Sequence, residues 1–222
     1  MHQLILDLLP ENPPSLDNFV PGENTQALAM LAAWKFGKDS EPFMLLWGES
    51  GSGKTHLLRA CASEYHDATD DPDLTLLEKQ GNTAVVDGMA IDNIEVLSSA
   101  GQIVLFDLFN HLRAADHRLL AAASQPPLQL SMREDLRTRL GSGLTFRLIP
   151  LSDQEKMRVL SEQAQARKLP LPPGALDYLL TRAPRDMRCL MACLAALDRY
   201  SLEHKRPITF PLLRDVLQHI PL

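Results

Sequence analysis

The sequence predicts an α/β protein: a three-layer αβα sandwich around a parallel sheet, followed by a small domain made of helices alone. Apolar runs alternate with helical patterns up to residue 150, and this alternation is typical of a parallel sheet covered by helices on both faces. From Leu151 onward only helical patterns remain, so a second domain is expected to begin there. With 222 residues, of which 45% are hydrophobic, the chain is long enough for one large and one small domain.

The first segment, residues 1–14, differs in character from the rest of the chain. An apolar peptide at 3–9 is followed by three prolines between 10 and 14, which favour an extended linker. Such a peptide is either an edge strand or core-packing arm, or a short linear motif that docks in a partner's groove. The residues themselves leave both interpretations open. A loop at 15–22 and a helix near 24–36 are expected next.

The next element carries the strongest functional signal. Residues 43–47 predict a strand, residues 56–62 predict a helix, and between them lies a complete G-x-x-x-x-G-K-S/T loop. Its members are Gly48, Glu49, Ser50, Gly51, Ser52, Gly53, Lys54 and Thr55. The glycines let backbone N–H groups turn toward phosphates, and the helix offers its positive end to the anion. Because Lys54 can reach the outer phosphates and Thr55 can ligate Mg²⁺, we expect the chain to bind a nucleotide.

The second and third strands are less clearly marked. Residues 74–78 predict the second strand, after an acidic surface loop at 67–73. The third strand has two candidates, 83–87 and 88–92. Parallel neighbours need a crossover of about a dozen residues. Residues 79–82 are too few for that crossover, so the later candidate is favoured.

The remaining elements follow from apolar spacing. A helix near 99–114 is expected to bury Ile103, Leu105, Phe106, Phe109 and Leu112. A buried strand is predicted at 118–123, and the last strand is predicted at 144–148. The second domain is expected to contain helices near 152–167, 174–182, 185–201 and 210–219, the first of them opened by a capping box from Ser152 to Glu155.

Asp92 ends the favoured third strand and is placed to hold the Mg²⁺ shell opposite Thr55. An aspartate at this position can also be a helix-capping or turn residue. Asn93 follows where many nucleotide hydrolases of this kind carry a second acid, and an amide can orient water but cannot act as a general base. Nothing in the sequence places Glu95 beside the water molecule that would attack the terminal phosphate. Weak intrinsic hydrolysis is therefore expected.

Five further residues have two interpretations each. Ser124, after a buried strand, either senses the outer phosphate or makes a turn. Arg137 and Arg139, expected on a loop, offer either an arginine finger for a neighbouring subunit's site or a surface salt bridge. Arg185 and Arg188, in the helical domain, either close over the phosphates or form a solvated face. From the residues alone, the second interpretation is favoured for both arginine pairs.

Composition limits the classes of function. The formal net charge of −6 argues against an extended nucleic-acid surface, because phosphate contacts need clustered Lys and Arg. Cys61, Cys189 and Cys193 lie in apolar helical stretches without a ligand motif, which indicates reduced core thiols. The first residues show no basic stretch followed by a long apolar core, and nowhere do 18 apolar residues run together. A cytoplasmic protein is expected.

Four stretches resemble the AAA+ module of the bacterial replication initiator DnaA and its relatives. They are residues 15–28, 53–58, 91–95 and 140–144. The resemblance covers nearly the whole chain. From it we expect a protein without the DNA-binding domain that follows the lid in DnaA and without DnaA's N-terminal partner-binding domain. Instead, residues 3–8 resemble the Q-L-x-L-x-L peptide that binds the sliding clamp of DNA polymerase. The chain is thereby identified as a regulatory member of the DnaA-related AAA+ family.

The resemblance implies anchors for a partner and for the base of a nucleotide. Gln3, Leu6 and Leu8 would enter the groove of the clamp. Phe19 and Val20 would flank the adenine of ADP or ATP. The implied organisation is a clamp-binding peptide and linker at 1–14, an AAA+ domain at 15–150 and a helical lid at 151–222.

The same resemblance assigns the remaining roles. The loop from Gly48 to His56 would hold the phosphates, and Asp92 would hold the Mg²⁺. Ser124 stands at the first sensor, Arg139 matches the arginine finger in the R-x-R-F/L pattern, and Arg188 matches the second sensor in the lid. The sequence departs from the family at Ser142, where a Trp is usual, and in its short connection from 78 to 88.

The function implied is regulation of replication initiation by a nucleotide-bound adaptor. It would dock on the DNA-loaded clamp, contact DNA only through it, and present Arg139 to DnaA–ATP so that DnaA hydrolyses its nucleotide. One alternative is an autonomous, DNA-stimulated ATPase or loader. Another is a truncated initiator, which needs a basic reading helix that the sequence does not contain. Self-association and the choice between ADP and ATP are left open.

Overall fold

The structure is a computed structural model that describes residues 13–37, 41–80, 88–184, 186–204 and 207–219. The described residues divide into two compact units, one spanning Pro13–Pro150 and the other beginning at Leu151. The predicted clamp anchors Gln3, Leu6 and Leu8 lie outside the described residues.

The larger unit is built around a parallel sheet. Its strands are β1 (Phe43–Trp47), β2 (Glu64–Asp67), β3 (Met89–Asp92), β4 (Leu119–Ala123) and β5 (Leu144–Arg147). Its helices are α1 (Thr25–Lys35), α2 (Lys54–Cys61), α3 (Thr75–Gln80), α4 (Ser99–Ala114) and α5 (Glu134–Ser142). The strand order is β2-β3-β4-β1-β5, which places β1 between β4 and β5. The predicted three-layer α/β fold is confirmed.

Two apolar clusters cover the two faces of the sheet. Leu45 belongs to one cluster and Leu46 to the other, because successive side chains of a strand point to opposite faces. On the first face, the rings of Phe43 and Phe109 are stacked with their centroids 4.1 Å apart. On the second face, Trp34 of α1 is completely buried. Burial on both sides explains why the central strands are continuously apolar.

The second strand is not where the sequence predicted it. Residues 74–78 lie in and just before helix α3, and the second strand is Glu64–Asp67. Leu74 and Leu77 are buried, whereas Leu76 is 57% exposed, and this three-residue spacing is that of a helix rather than a strand. The true β2 is an edge strand of half-buried polar residues, so no apolar run marks it.

Most of the other predicted elements are confirmed. The favoured third-strand candidate, 88–92, contains β3, and the helix near 99–114 is α4. The predictions at 24–36, 118–123 and 144–148 correspond to α1, β4 and β5. Within α4 the prediction for Ile103 is wrong. Its side chain is 47% exposed, because the buried stripe of α4 is formed by other positions, including Leu105, Phe109 and Leu112.

The smaller unit contains α6 (Asp153–Ala166), α7 (Ala175–Arg182), α8 (Met187–His204) and α9 (Phe210–His219). The predicted capping box is present: the Glu155 N–H donates to Ser152 Oγ at 3.3 Å, and the Ser152 N–H donates to Glu155 Oε2 at 2.8 Å. Leu160, Leu179 and Leu194 are among the residues of its apolar core. No helix in the described part of the chain is long and apolar enough to cross a membrane.

Candidate nucleotide-binding site

The phosphate loop connects β1 to α2 at the carboxyl end of the sheet. Gly48, Gly51 and Gly53 have φ values of 152°, 78° and 94°, which residues other than glycine rarely adopt. A Cβ atom on Gly48 would lie 2.4 Å from the Leu148 carbonyl oxygen. The loop therefore needs all three glycines for backbone conformation and Gly48 for close packing as well. This strand–loop–helix geometry is the one that presents backbone N–H groups to an anion.

Lys54 lies folded over the loop. Its Nζ donates to the carbonyl oxygens of Gly48, at 2.6 Å, and Glu49, at 2.9 Å. Burial lowers the pKa of Lys54, although the nearby charges of Asp92 and Glu95 act to raise it. A phosphate anion bound beside Lys54 would stabilise the charged form of its amine. The arrangement therefore fits a bound nucleotide.

Ser52 gives a second indication that the loop is built for a polar ligand. Its hydroxyl oxygen is buried and has no hydrogen-bond partner among the described residues. Buried hydroxyls are usually hydrogen-bonded, because leaving one unpaired costs about 1–3 kcal/mol. A phosphate oxygen bound in the loop is a partner of the right chemistry.

Thr55 and Asp92 provide the ligands that a Mg²⁺ ion would need. Thr55 Oγ1 donates to Asp92 Oδ2 at 2.6 Å, and Asp92 is completely buried at the end of β3. Both are hard oxygen donors of the kind that Mg²⁺ prefers. The described residues contain no cluster of three or more His, Cys, Asp or Glu suited to a metal. A site with few protein ligands fits Mg²⁺, which keeps waters and substrate phosphates in its shell.

Asp92 is also contacted from β2 by Tyr65, and Asp67 belongs to the same hydrogen-bond network; sequence reasoning found neither residue. The Tyr65 hydroxyl lies 3.0 Å from Asp92 Oδ2 and 3.2 Å from Asp67 Oδ2. Asn93 Nδ2 donates to Asp67 Oδ1 at 2.8 Å. Burial acts to raise the pKa of Asp67, but hydrogen bonds from Asn93 and Thr69 outweigh it and lower the pKa. The Asn93 amide is thus engaged in holding an ionised carboxylate.

Glu95 and Ser124 meet at the ends of neighbouring strands. Glu95 lies in a 3₁₀ turn, Ile94–Val96, just after β3, and Ser124 follows β4. The Ser124 N–H donates to Glu95 Oε1 at 3.0 Å. Glu95 Oε2 is buried without a hydrogen-bond partner in the described chain. The sensor role of the Ser124 hydroxyl stays a prediction.

Phe19 packs against the phosphate loop. A Cβ atom on Gly53 would lie 2.6 Å from Phe19 Cε2, and the ring centroids of Phe19 and His56 are 5.6 Å apart. His56 Nε2 lies 2.9 Å from the Ser15 carbonyl oxygen, which ties this segment to α2. Val20 is half-buried. The structure brings Phe19 to the site, and the adenine contacts of Phe19 and Val20 stay predictions.

Arg139 lies in the last turn of helix α5, not on a loop as predicted, and Arg137 lies on the same helix. The helix forms because Leu136 and Leu140, four residues apart, are both buried. The Arg139 guanidinium carbon stands 5.3 Å from the ring centroid of Phe106, within the range of a cation–π contact. Its position is therefore set by a helix and an aromatic ring.

Arg139 lines an open cavity of about 880 Å³. Its lining consists of Phe106, Arg113, Arg133, Glu134, Asp135, Thr138, Arg139 and Ser142. Arg133 is paired with Asp135, with 2.6 Å between Nη2 and Oδ2. Arg139 makes no ion pair with any residue that the structure describes. Its charge therefore remains available for an anionic partner.

The helical unit carries the last predicted site residue. Arg188 is exposed in the first turn of α8, and its role as second sensor stays a prediction. Arg185 lies outside the described residues. All three cysteines are free thiols, and burial raises the pKa of Cys61 to about 11 and that of Cys193 to about 12.

Comparisons with known proteins agree with this fold. The family model for the bacterial DnaA ATPase domain matches residues 11–81, and the model for the Hda lid domain matches residues 153–217. Domain III of the Thermotoga maritima replication initiation protein DnaA is similar, with a TM-score of 0.72 and 22% identity, over 95% of this chain and 98% of that one. AMPPCP-bound DnaA from Aquifex aeolicus gives a TM-score of 0.66 and 23% identity, over 88% and 70%. The Thermotoga maritima RuvB Holliday junction branch migration motor gives a TM-score of 0.64 and 21% identity, over 93% of this chain and 72% of that one.

Proposed function

Because this chain is a DnaA-related AAA+ protein with an Hda-type lid domain, we propose that it is a nucleotide-bound adaptor that regulates replication initiation. It binds ADP or ATP, docks on the sliding clamp of DNA polymerase, and stimulates ATP hydrolysis by the initiator DnaA. Hydrolysis inactivates DnaA. The observation that carries the proposal is Arg139, which stacks on Phe106 in an open cavity and is unpaired among the described residues.

The adaptor's own nucleotide is held by the phosphate loop. Ser52 and Lys54 bind its phosphates, and Thr55 and Asp92 would hold Mg²⁺, which neutralises phosphate charge when bound. The Asn93 amide is already committed to Asp67, at 2.8 Å, so it is not free to orient water. Weak turnover follows, and the nucleotide acts mainly as a structural ligand.

Arg139 acts on the partner's nucleotide. In phosphoryl transfer, negative charge develops on the oxygens of the transferred phosphoryl group, and a planar guanidinium stabilises it. Helix α5 and the ring of Phe106 hold the Arg139 side chain before the partner arrives, which lowers the entropy lost on binding. Hydrolysis is thereby assigned to DnaA's site.

A reconstituted assay with DnaA–ATP, clamp and DNA tests the finger. We expect the wild-type protein to stimulate phosphate release. With Arg139→Ala, phosphate should be released no faster than by DnaA without the adaptor. Arg137→Ala is the matched control, since it removes the same charge from the same helix. Undiminished stimulation by Arg139→Ala contradicts the proposal.

Clamp docking is assigned to the peptide at residues 3–8 on its sequence pattern. Gln3 fixes the register of the peptide, and Leu6 and Leu8 fill the apolar groove. The net charge of −6 supports contact with DNA through the clamp rather than directly. Surface plasmon resonance on immobilised clamp should show weaker binding for Gln3→Ala than for His2→Ala. Equal affinity of the two variants removes the docking assignment.

A further inference from the structure

The contacts of Glu95 leave one of its oxygens without a role. Oε1 accepts a hydrogen bond from the Ser124 N–H at 3.0 Å, which fixes the carboxylate plane. Oε2 is buried and accepts no hydrogen bond from any described residue. An unpaired buried acceptor is costly, so such groups in native proteins often serve a ligand or a reaction.

Glu95 lies at the edge of the sheet where the phosphates are expected. It follows Asp92 by three residues, and Asp92 Oδ2 accepts from Thr55 of the phosphate loop at 2.6 Å. Its negative charge is close enough to act on Lys54, where it opposes the lowering of the pKa by burial. The open oxygen of Glu95 is therefore part of the phosphate-binding end of the molecule.

The neighbouring carboxylates are already used. Asp92 Oδ2 accepts from Thr55 and Tyr65, and its Oδ1 accepts from the Asn93 N–H at 2.9 Å. Asp67 Oδ1 accepts from Asn93 and Thr69. A carboxylate whose oxygens are occupied is a poor proton acceptor. Among the described acids of this network, Glu95 alone keeps an oxygen unpaired.

We propose that Glu95 is the general base for slow hydrolysis of the chain's own ATP, an inference that rests on the proposed nucleotide site. Glu95 Oε2 accepts a proton from water as the water oxygen bonds to the γ-phosphorus. The bond between that phosphorus and the β–γ bridging oxygen breaks, and ADP and inorganic phosphate leave. The proton passes from Glu95 to solvent. Glu95 thus supplies, two residues later, the acid that Asn93 lacks.

Single-turnover hydrolysis tests the proposal, with the full-length protein in excess over γ-labelled ATP and Mg²⁺. Glu95→Gln retains an oxygen for the Ser124 N–H but cannot take a proton. We expect phosphate release to slow by about 100-fold or more, since general bases contribute about 10²–10⁴-fold. The affinity for a fluorescent ATP analogue should change by no more than about twofold.

The matched control is Glu78→Gln, the same chemical change on an exposed residue of α3. It should hydrolyse ATP at the wild-type rate. If the wild-type protein binds ATP but releases no phosphate, or if Glu95→Gln equals wild type, the base assignment is wrong and the proposed adaptor function is untouched. If ATP does not bind at all, the nucleotide site fails and this inference fails with it.

Discussion

Replacing Gly48 with alanine should displace the strand that flanks the phosphate loop. A Cβ atom at Gly48 would lie 2.4 Å from the carbonyl oxygen and 3.3 Å from the carbonyl carbon of Leu148. Both atoms belong to backbone, and the Leu148 N–H donates to the Trp47 carbonyl at 2.7 Å. No flexible side chain can move aside, so the chain after β5 must separate from β1. Gly51→Ala is the matched control, because its Cβ would meet nothing within 4 Å.

The expected loss of stability has two sources. Forcing an extra atom into a packed site costs about 1–3 kcal/mol, and a φ reserved for glycine costs a similar amount. Gly48→Ala should therefore lower the free energy of unfolding by about 4 kcal/mol, and Gly51→Ala, which pays only for φ, by about 1.5 kcal/mol. A chain of this size loses about 2–4 °C of Tm per kcal/mol, so Tm should fall by about 12 °C in Gly48→Ala and by about 5 °C in Gly51→Ala.

Differential scanning calorimetry of the ligand-free proteins measures both values. Far-UV circular dichroism confirms that each variant is folded before heating. A Gly48→Ala protein that melts at or above the temperature of Gly51→Ala refutes the steric argument, and with it the close packing of the loop against Leu148.

Four other predictions concern the buried thiols, the nucleotide site and the helical unit. Burial holds the pKa of Cys61 at about 11 and of Cys193 at about 12, against an ordinary 9.0, so the stability they confer is complete below pH 9 and is lost as pH rises through the folded values. Urea denaturation should show the free energy of unfolding falling by about 1.4 kcal/mol per pH unit for each thiol above pH 9, and a flat profile is inconsistent with buried thiols. Lys54→Ala should abolish ADP binding in a fluorescence titration, and retained affinity argues against the phosphate loop as the site. Tyr65→Phe should raise the Mg²⁺ concentration needed for ATP binding by about 10-fold, since outer-shell partners of metal ligands have effects of that size, and an unchanged titration removes Tyr65 from the site. Ser152→Ala should destabilise the helical unit by about 1 kcal/mol in chemical denaturation, and no change would show that its capping box is dispensable.

The sequence predicted those parts of the site that depend on local order. The phosphate loop, its strand and its helix are contiguous, so the motif alone located Gly48 to Thr55. Asp92 was found because it ends a short apolar strand that is buried on both faces. Residues adjacent in the chain are positioned by local backbone geometry, and a sequence pattern can therefore predict their arrangement.

What the sequence missed depends on tertiary pairing. Tyr65 reaches Asp92, and Asp67 lies beside Asp92, because β2 pairs with β3 in a register that sets these two aspartates opposite each other. That strand is polar and lies at the sheet edge, so neither burial nor alternation marks it. The contact between Glu95 and Ser124 joins residues that are 29 positions apart, and only the sheet brings them together.

Whether this chain acts on the nucleotide of DnaA can be measured by labelling the nucleotide of one of the two proteins. DnaA is loaded with γ-labelled ATP, the adaptor with unlabelled ADP, and released phosphate is followed in the presence of clamp and DNA. The wild-type protein and Glu95→Gln should accelerate release of the label equally, and Arg139→Ala should not accelerate it. If release is no faster with the wild-type protein than with DnaA alone, the chain does not act on the nucleotide of DnaA.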